Sequence, residues 1–414
     1  MTDKTTTPAK KTMETSAEVS KVIRGQYVRV KEDKARGRPV VWSYGLTPRE
    51  IFVALDVPII SVEQLPIMLA SKQIVGRYLE IAEHAGFARD LCTYHTSMLG
   101  VVEADTRDPY LEKLFEPPDI IIGSNLPCMS ESKSFLPAVE KYRVPHYFID
   151  APICLGGSDP PERTIKYLAA ELKGLLSFLE QHGLKMDMAT LSEVVDRSRE
   201  MSRIWTEVDE YRQAVPTPMT AVDGLVCMYL LSYLPGRPDA ADILRRLRDE
   251  AKTKAQNKVG AVENEKFRLL FLDVPPYYNL GLLSYLEKDG GVFVKAEIEY
   301  VMSGQTDLNV LDPQHPLESL AKKALIDMPC PTYTNRIDFM RRAIRDFRID
   351  GIVGANKRGC RNMPAGFRIM KDIAAREFGV PMTIIDLDGL DLREYDDVQV
   401  KSRLDAFMET LAAK

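Results

Sequence analysis

Apolar residues along this chain fall into two alternating textures. Short runs that are apolar throughout occupy residues 37–45 (GRPVVWSYG), 58–63 (PIISVE), 119–124 (DIIIGS) and 146–151 (HYFIDA). A run without polar alternation predicts a strand covered on both faces, as in a parallel sheet. Between the runs, residues 69–85 and 133–142 carry helical spacing, and Thr47, Pro48 and Glu50 mark a helix start. This β-α-β-α rhythm predicts an open, doubly wound α/β unit. Residues 162–262 hold no strand signal and read as helical. The rhythm then resumes with strand candidates at 267–274, 291–299, 350–356 and 381–388, and helices at 336–347 and 365–378. The expected fold is α/β: two doubly wound parallel-sheet (Rossmann- or flavodoxin-like) domains, residues 21–161 and 263–414. A helical segment, 162–262, lies between them, and a disordered polar tail, 1–20, precedes them.

Composition narrows the class. A chain of 414 residues exceeds what one core usually serves. With 45% hydrophobic and 28% charged residues, wholesale disorder is excluded. A formal net charge of −5 argues against a nucleic-acid partner, which calls for a basic face. The polar N-terminus lacks the apolar core of a signal peptide, and runs such as residues 51–60 are too short and too interrupted to span a bilayer. The expectation is a cytoplasmic, reducing location without membrane contact. Six cysteines are too few for a disulfide scaffold of this length, so metal binding, catalysis and packing are the readings left for them.

Ligands of open parallel sheets bind beyond the carboxyl ends of the strands. Cys128 follows the strand DIIIGS, Cys360 follows DGIVGAN, and Cys154 follows HYFIDA; Cys92 stands between a helix and a polar turn. Cys330 lies between two prolines in a loop. Cys227, inside DGLVCMYLLSYL, reads as a small buried hydrophobe. No CxxC pair exists, and the one C-x-x-H, Cys92 with His95, has no second pair to complete a zinc site. His146 opens a strand, away from the ligand edge, and reads as structural. Tyr277, Tyr278 and Asn279 follow a strand end and suit either packing or a pocket wall. Lys357, Arg358 and Arg361 surround Cys360 and suit either a charge-setting role or a solvated loop. No GxxxxGK[ST] motif and no GxGxxG turn appear, so nucleotide hydrolysis and NAD binding find no support here.

Four segments in order, DLCTYHTSMLG, PPDIIIGSNLPCMSESK, EKFRLLFLDVPPYYNLG and DGIVGANKRGCRNMP, resemble the signatures of the iron–sulfur subunits of 2-hydroxyacyl-CoA dehydratases and ATP-dependent benzoyl-CoA reductases. The resemblance runs from about residue 25 to the C-terminus. It implies a [4Fe–4S] cluster ligated by Cys92, Cys128 and Cys360, with one iron free of protein thiol. It also implies a homologous second subunit, an acyl-CoA or aryl-CoA substrate, and a separate ATP-dependent [4Fe–4S] activator supplied by ferredoxin or flavodoxin. Glu63 matches the family's acidic residue near the open iron, a proton-transfer group or an outer-sphere partner for the iron-bound atom; His95 is weighed as a proton donor. The family's dehydratases often carry a hydroxyl residue shortly after the Trp of GRPVxW, whereas the matching place here is Gly45, after Ser43 and Tyr44. That departure tilts the expectation toward an aryl-CoA reductase. Such an enzyme adds one electron to the thioester to give a ketyl-type radical and then a cyclic dienoyl-CoA. A dehydratase giving an enoyl-CoA is the alternative. A double-cubane cluster reductase, which would recruit Cys154 and Cys330, is the third reading.

Overall fold

The computed structural model of the protein describes residues 10–45, 47–128, 130–152, 159–303, 310–326 and 333–413. Two four-stranded sheets form its frame. The first contains β1 (Val41–Ser43), β2 (Ile59–Ser61), β3 (Ile120–Ser124) and β4 (His146–Ile149) in the order β2-β1-β3-β4, with every pair parallel. The second contains β5 (Phe267–Leu272), β6 (Gly291–Ala296), β7 (Gly351–Asn356) and β8 (Met382–Asp386) in the order β6-β5-β7-β8, again all parallel. The fold is therefore α/β with two Rossmann-like sheets. The continuous apolar runs have this cause: β1 and β3 are buried at every residue, so neither face needs polar alternation.

Each sheet starts in its middle, steps to one edge, then crosses to the other side. The switch points fall between β1 and β3 and between β5 and β7, where crossover loops part and leave a crevice.

Four helices fill the middle of the chain: Glu162–Gln181, Met188–Arg212, Ala221–Tyr233 and Pro238–Gln256. The first buries a single stripe, Leu168, Leu172, Leu175 and Leu179, against Val41, Ile120 and Ile122 of the first sheet. Ala221–Tyr233 is apolar on nearly all sides and sits inside a core that includes both Trp42 and Ile121 of the first sheet and Leu269 and Phe271 of the second. One core therefore binds both sheets.

Three expectations need correction. Residues 16–20, assigned above to a disordered tail, begin a helix, Ser16–Ala35, and residues 10–15 lead into it as a docked strap. The polar residues that suggest a tail satisfy two carboxylates. Asp223 accepts from the Thr12 amide (2.9 Å) and hydroxyl (2.6 Å) and from Ser16 Oγ (2.7 Å), and Glu250 accepts from the amides of Glu14 and Thr15. Residues 69–85 form parts of two helices, Gln64–Ser71 and Val75–His84, because the chain turns at Gln73 with φ +59°. The strand expected over 291–299 stops at Ala296. Glu297 and Glu299 open a helix instead, their carboxylates drawn to Arg336 and Arg212. Among the described residues no helix is long and apolar enough to cross a membrane.

Helix Thr93–Glu103 crosses helix Val75–His84 at Gly100, where a Cβ would overlap the Tyr78 carbonyl. Gly100→Ala is expected to lower stability in urea unfolding by about 2–3 kcal/mol, the usual cost of overpacking. Gly25→Ala, at an exposed helix position with open space around it, is expected to raise stability by about 0.5–1 kcal/mol.

Candidate functional site

The carboxyl edge of the first sheet is built on close backbone approach. After β1 the chain turns at Gly45 with φ +85°, and a Cβ there would lie 2.5 Å from both the Leu126 carbonyl and Ser124 Oγ. The turn after β1 thus presses on the loop that carries Cys128. The Gly45 amide donates to Glu63 Oε1 at 2.6 Å. Ser61 Oγ donates to Glu63 Oε2 at 2.7 Å, and Arg49 Nη2 reaches the same oxygen at 3.4 Å. Glu63, which follows β2, is consequently buried and held in place on both carboxylate oxygens.

The second sheet supplies the opposite wall. After β7, the chain makes a turn in which the Cys360 amide donates to the Lys357 carbonyl. Gly359 lies in this turn, and a Cβ there would come within 2.6 Å of the Leu91 carbonyl. That contact brings the Cys360 loop onto the Cys92 loop. Cys92 is the N-cap of helix Thr93–Glu103, its carbonyl accepting from the amides of His95 and Thr96. Lys357, 3% exposed, sets Nζ 3.8 Å from Cys92 Sγ and 4.1 Å over the Tyr94 ring. Burial opposes ionisation of Cys92, but the Lys357 ammonium, the His95 ring and the Tyr94 amide outweigh it and hold the thiol at about 6. For Cys360 the balance goes the other way: burial pushes its thiol up, and Lys357 recovers only part of the shift.

Two buried carboxyls complete this wall. Asp388 Oδ1 accepts from Thr93 Oγ1 (2.7 Å) and from the amides of Leu390 and Asp391, tying the end of β8 to the start of the Cys92 helix. Asp273, at the end of β5, has φ +73°, a backbone region few non-glycine residues adopt. Its Oδ1 accepts from the Val274 amide, while Oδ2 has no partner among the described residues. Burial raises its carboxyl to about 7 against the pull of Arg336 and Lys357. Burial disfavours the Lys357 ammonium, yet Cys92, Asp388, Cys360 and Asp273 together hold it firmly protonated.

The structure thus brings Cys92, Cys360 and Lys357 together and joins the Cys128 region to them through His95. That ring is buried on the Cys92 helix, with Nδ1 3.0 Å from Oγ of Ser134 on the helix Ser130–Tyr142, which follows Cys128. Cys128 itself is partly exposed. Of the basic trio, Arg358 and Arg361 point to solvent and pair with Glu394 and Asp90. His146 is exposed, remote from this edge. Cys227 is fully buried among apolar residues, with burial pushing its thiol up. Cys154 and Cys330 lie outside the described residues. Asp273, Asp388 and Arg49 were not singled out by sequence reasoning. For the two aspartates a signal existed: each is an acid ending an apolar strand run on the ligand edge.

Among the described residues no three His, Cys, Asp or Glu side chains converge closely enough to grip one metal ion. A four-iron cube makes a different demand, since each thiolate meets a different iron and the sulfurs stand further apart. Thiols carried on separate loops, one of them in the thiolate range, suit that donor set.

A cavity of about 310 Å³ approaches the site from the surface. Arg24, Ser20 and Lys72 stand at its mouth, Ile67, Met68 and Leu225 along its wall, and Tyr229 and Tyr277 at its inner end. Burial pushes the Tyr277 hydroxyl up to about 12, against the neighbouring Tyr229 and Tyr94 hydroxyls and Lys357. Tyr277, which lines the cavity, is thus linked through Tyr94 to Lys357.

A loop of each sheet meeting at Cys92 and Cys360, with a cavity alongside, defines a two-sheet α/β protein with cysteines gathered where its sheets meet. The chain belongs to the family described as 2-hydroxyglutaryl-CoA dehydratase, D-component, which it matches over residues 45–411. It is 24% identical to the (R)-2-hydroxyisocaproyl-CoA dehydratase alpha subunit of Clostridioides difficile, over 95% of both chains. It is likewise 24% identical to the (R)-phenyllactyl-CoA dehydratase alpha subunit of Clostridium sporogenes, over 92% of both. A subunit of the benzoyl-CoA reductase of Thauera aromatica is also 24% identical, over 95% of this chain and 93% of that one.

In metal-free protein, the iodoacetamide reactivity of Cys92 is expected to rise with a midpoint near pH 6. Lys357→Met removes the cation that stabilises the thiolate. The midpoint then moves up by a unit or more, and labelling at pH 7 slows several-fold, by roughly the lost thiolate fraction. Peptide mass mapping after timed labelling reads both values.

Proposed function

We propose that the chain is the iron–sulfur subunit of an aryl-CoA reductase, with Cys92, Cys128 and Cys360 holding a [4Fe–4S] cluster. Such a cluster, when bound, supplies single electrons at low potential and keeps one iron free of protein thiol. The chain's own residues do the rest. Lys357 places a fixed positive charge beside the Cys92 sulfur, which favours the thiolate as ligand and offsets negative charge in a dry site. The 310 Å³ cavity takes the CoA thioester, with Arg24 and Lys72 at the mouth for phosphate groups. Its apolar wall and the Tyr229–Tyr277 end receive the acyl group and exclude water from it. His95 and Glu63 serve as proton-transfer groups, each held in one orientation by hydrogen bonds.

One observation carries the choice of reaction. The turn at Gly45 has a positive φ and no space for a Cβ, so a hydroxyl side chain has no room at that place. The aromatic inner end of the cavity suits a ring. One electron added to the thioester gives a ketyl-type radical anion. A first proton, a second electron and a second proton then give the cyclic dienoyl-CoA. The second reading is a 2-hydroxyacyl-CoA dehydratase, the activity named for two of the relatives above. It uses the same kind of radical but expels the 2-hydroxyl group as hydroxide, loses a proton from C3 and returns the electron, leaving an enoyl-CoA.

In this reading the complex needs a homologous second subunit, in keeping with the relatives above being named as subunits of larger enzymes. It also needs a separate ATP-dependent [4Fe–4S] activator, fed by ferredoxin or flavodoxin; the sequence carries no GxxxxGK[ST] motif. The proposed location is the cytoplasm, where thiols stay reduced.

Anaerobic assay of the activated complex is expected to show turnover of benzoyl-CoA; turnover of a 2-hydroxyacyl-CoA alone would overturn the reductase reading in favour of the dehydratase. Iron analysis is expected to give about four irons per chain, and Cys92→Ala, Cys128→Ala or Cys360→Ala to drop it below about one. About eight irons per chain would instead support the double-cubane reading.

A further inference from the structure

A second cavity, of about 360 Å³, lies between helix Ser16–Ala35, the short helix Arg49–Ala54, the edge strand β2 and the end of helix Ala221–Tyr233. It adjoins the 310 Å³ cavity, and Ile23 and Gln64 line both. Phe52, Val57, Ile59 and Leu234 give it apolar walls. Its rim arginines already have counter-charges: Arg29 pairs with Asp56 at 2.7 Å and Arg237 with Asp239 at 2.6 Å. Space suited to an apolar chain therefore adjoins the cavity that the proposed function gives to the acyl group.

The shared wall is stiff. Ile23 is β-branched and sits inside a helix, where one side-chain rotamer dominates. Tyr27, one turn further along the same helix, is fully buried and donates its hydroxyl to Gln64 Oε1 at 3.0 Å. Burial pushes that hydroxyl well up, so it stays a donor. Gln64 is itself buried and cannot swing aside without leaving the Tyr27 hydroxyl unpaired. The helix is fixed at both ends: Ser16 Oγ donates to Asp223 at 2.7 Å, and Lys34 pairs with Asp119 at 2.6 Å.

We propose that Ile23, braced by the Tyr27–Gln64 hydrogen bond, sets the size limit for the acyl group. The chain then selects compact acyl groups, a single ring or a short chain, and denies longer ones the space behind the shared wall. This inference rests on the acyl-CoA reading above and adds a specificity-determining residue to it. Cutting Ile23 back to alanine removes three carbons from the wall and opens one cavity to the other. One methylene accepted or refused by an apolar pocket changes discrimination by about tenfold or more. A chain several carbons too long for the first cavity therefore gains strongly when the wall is opened.

The test measures by calorimetry how the purified full chain binds benzoyl-CoA and decanoyl-CoA. Wild type is expected to bind benzoyl-CoA tighter by about tenfold or more. Ile23→Ala is expected to bind decanoyl-CoA about tenfold or more tighter than wild type does, with benzoyl-CoA changed less than about threefold. Ile23→Val, the milder variant should Ile23→Ala fail to fold, is expected to shift in the same direction by about threefold. Val30→Ala, a buried truncation on the same helix that lines neither cavity, separates this effect from general loosening and is expected to keep the wild-type preference. Decanoyl-CoA bound by wild type as tightly as benzoyl-CoA overturns the inference. So does a preference left unchanged in the folded Ile23 variants, or shifted equally by Val30→Ala. Binding of neither ester to any of these proteins would instead overturn the acyl-CoA reading on which the inference rests.

Discussion

One buried ammonium organises the edge where the two sheets of this protein meet. Nζ of Lys357, a buried side chain, lies next to the Cys92 sulfur and within reach of the carboxyls of Asp388 and Asp273 and of the Cys360 thiol. A lone charge so placed would be very costly, and it persists because several acidic groups share it. The same charge selects which acids ionise. Cys92, touching Lys357, is drawn toward the thiolate, while Cys360 and Asp273, where burial wins, are pushed the other way. A site that is to hold an electron-rich group gains from this arrangement, because the positive charge is already in place and no solvent must reorganise around it.

Close backbone approach within the first sheet's loops and between the two sheets makes that charge placement possible. Gly45 lets the turn after β1 press on the Cys128 loop, and Gly359 lets the turn after β7 press on the Cys92 loop. Side chains at either point would part the walls of the crevice. The joint is then fastened by longer contacts: Thr93 with Asp388, Arg89 with Glu394, and Arg393 with Glu83. Cys128, Cys360 and the carboxyls belong to loops at strand ends and Cys92 to a helix N-terminus, whereas the frame that sets them is a single apolar core spanning both sheets. Rigid strands carrying short, anchored loops are the ordinary means of fixing such geometry.

The middle helices are more than a spacer between the sheets. Tyr229 and Tyr233, on the most apolar helix, line the two cavities on either side of Ile23 and Gln64. The N-terminal helix forms the outer wall of both, held down by the carboxylates of Asp223 and Glu250. Access to the inner residues therefore depends on a segment whose composition is that of a tail.

The strands, their parallel arrangement and the positions of Cys92, Cys128 and Cys360 on loops were legible in the sequence, because a strand buried on both faces must be apolar throughout and its ligand edge must follow it. Cys227 was equally legible as packing, from its apolar helical neighbours. The ends of elements were not. Glu297 and Glu299 stop a strand because Arg336 and Arg212 wait for them from distant parts of the chain, and Thr12, Thr15 and Ser16 order a polar segment by meeting Asp223 and Glu250. Nor did any spacing announce that Lys357 faces Cys92, that Asp273 is buried with a positive φ, or that Ile23 and Gln64 share the wall of two cavities. Local patterning determines which residues must be covered, since that follows from periodicity and burial alone. Which charges become neighbours is decided only when the two sheets close on each other, because it depends on distances between loops hundreds of residues apart.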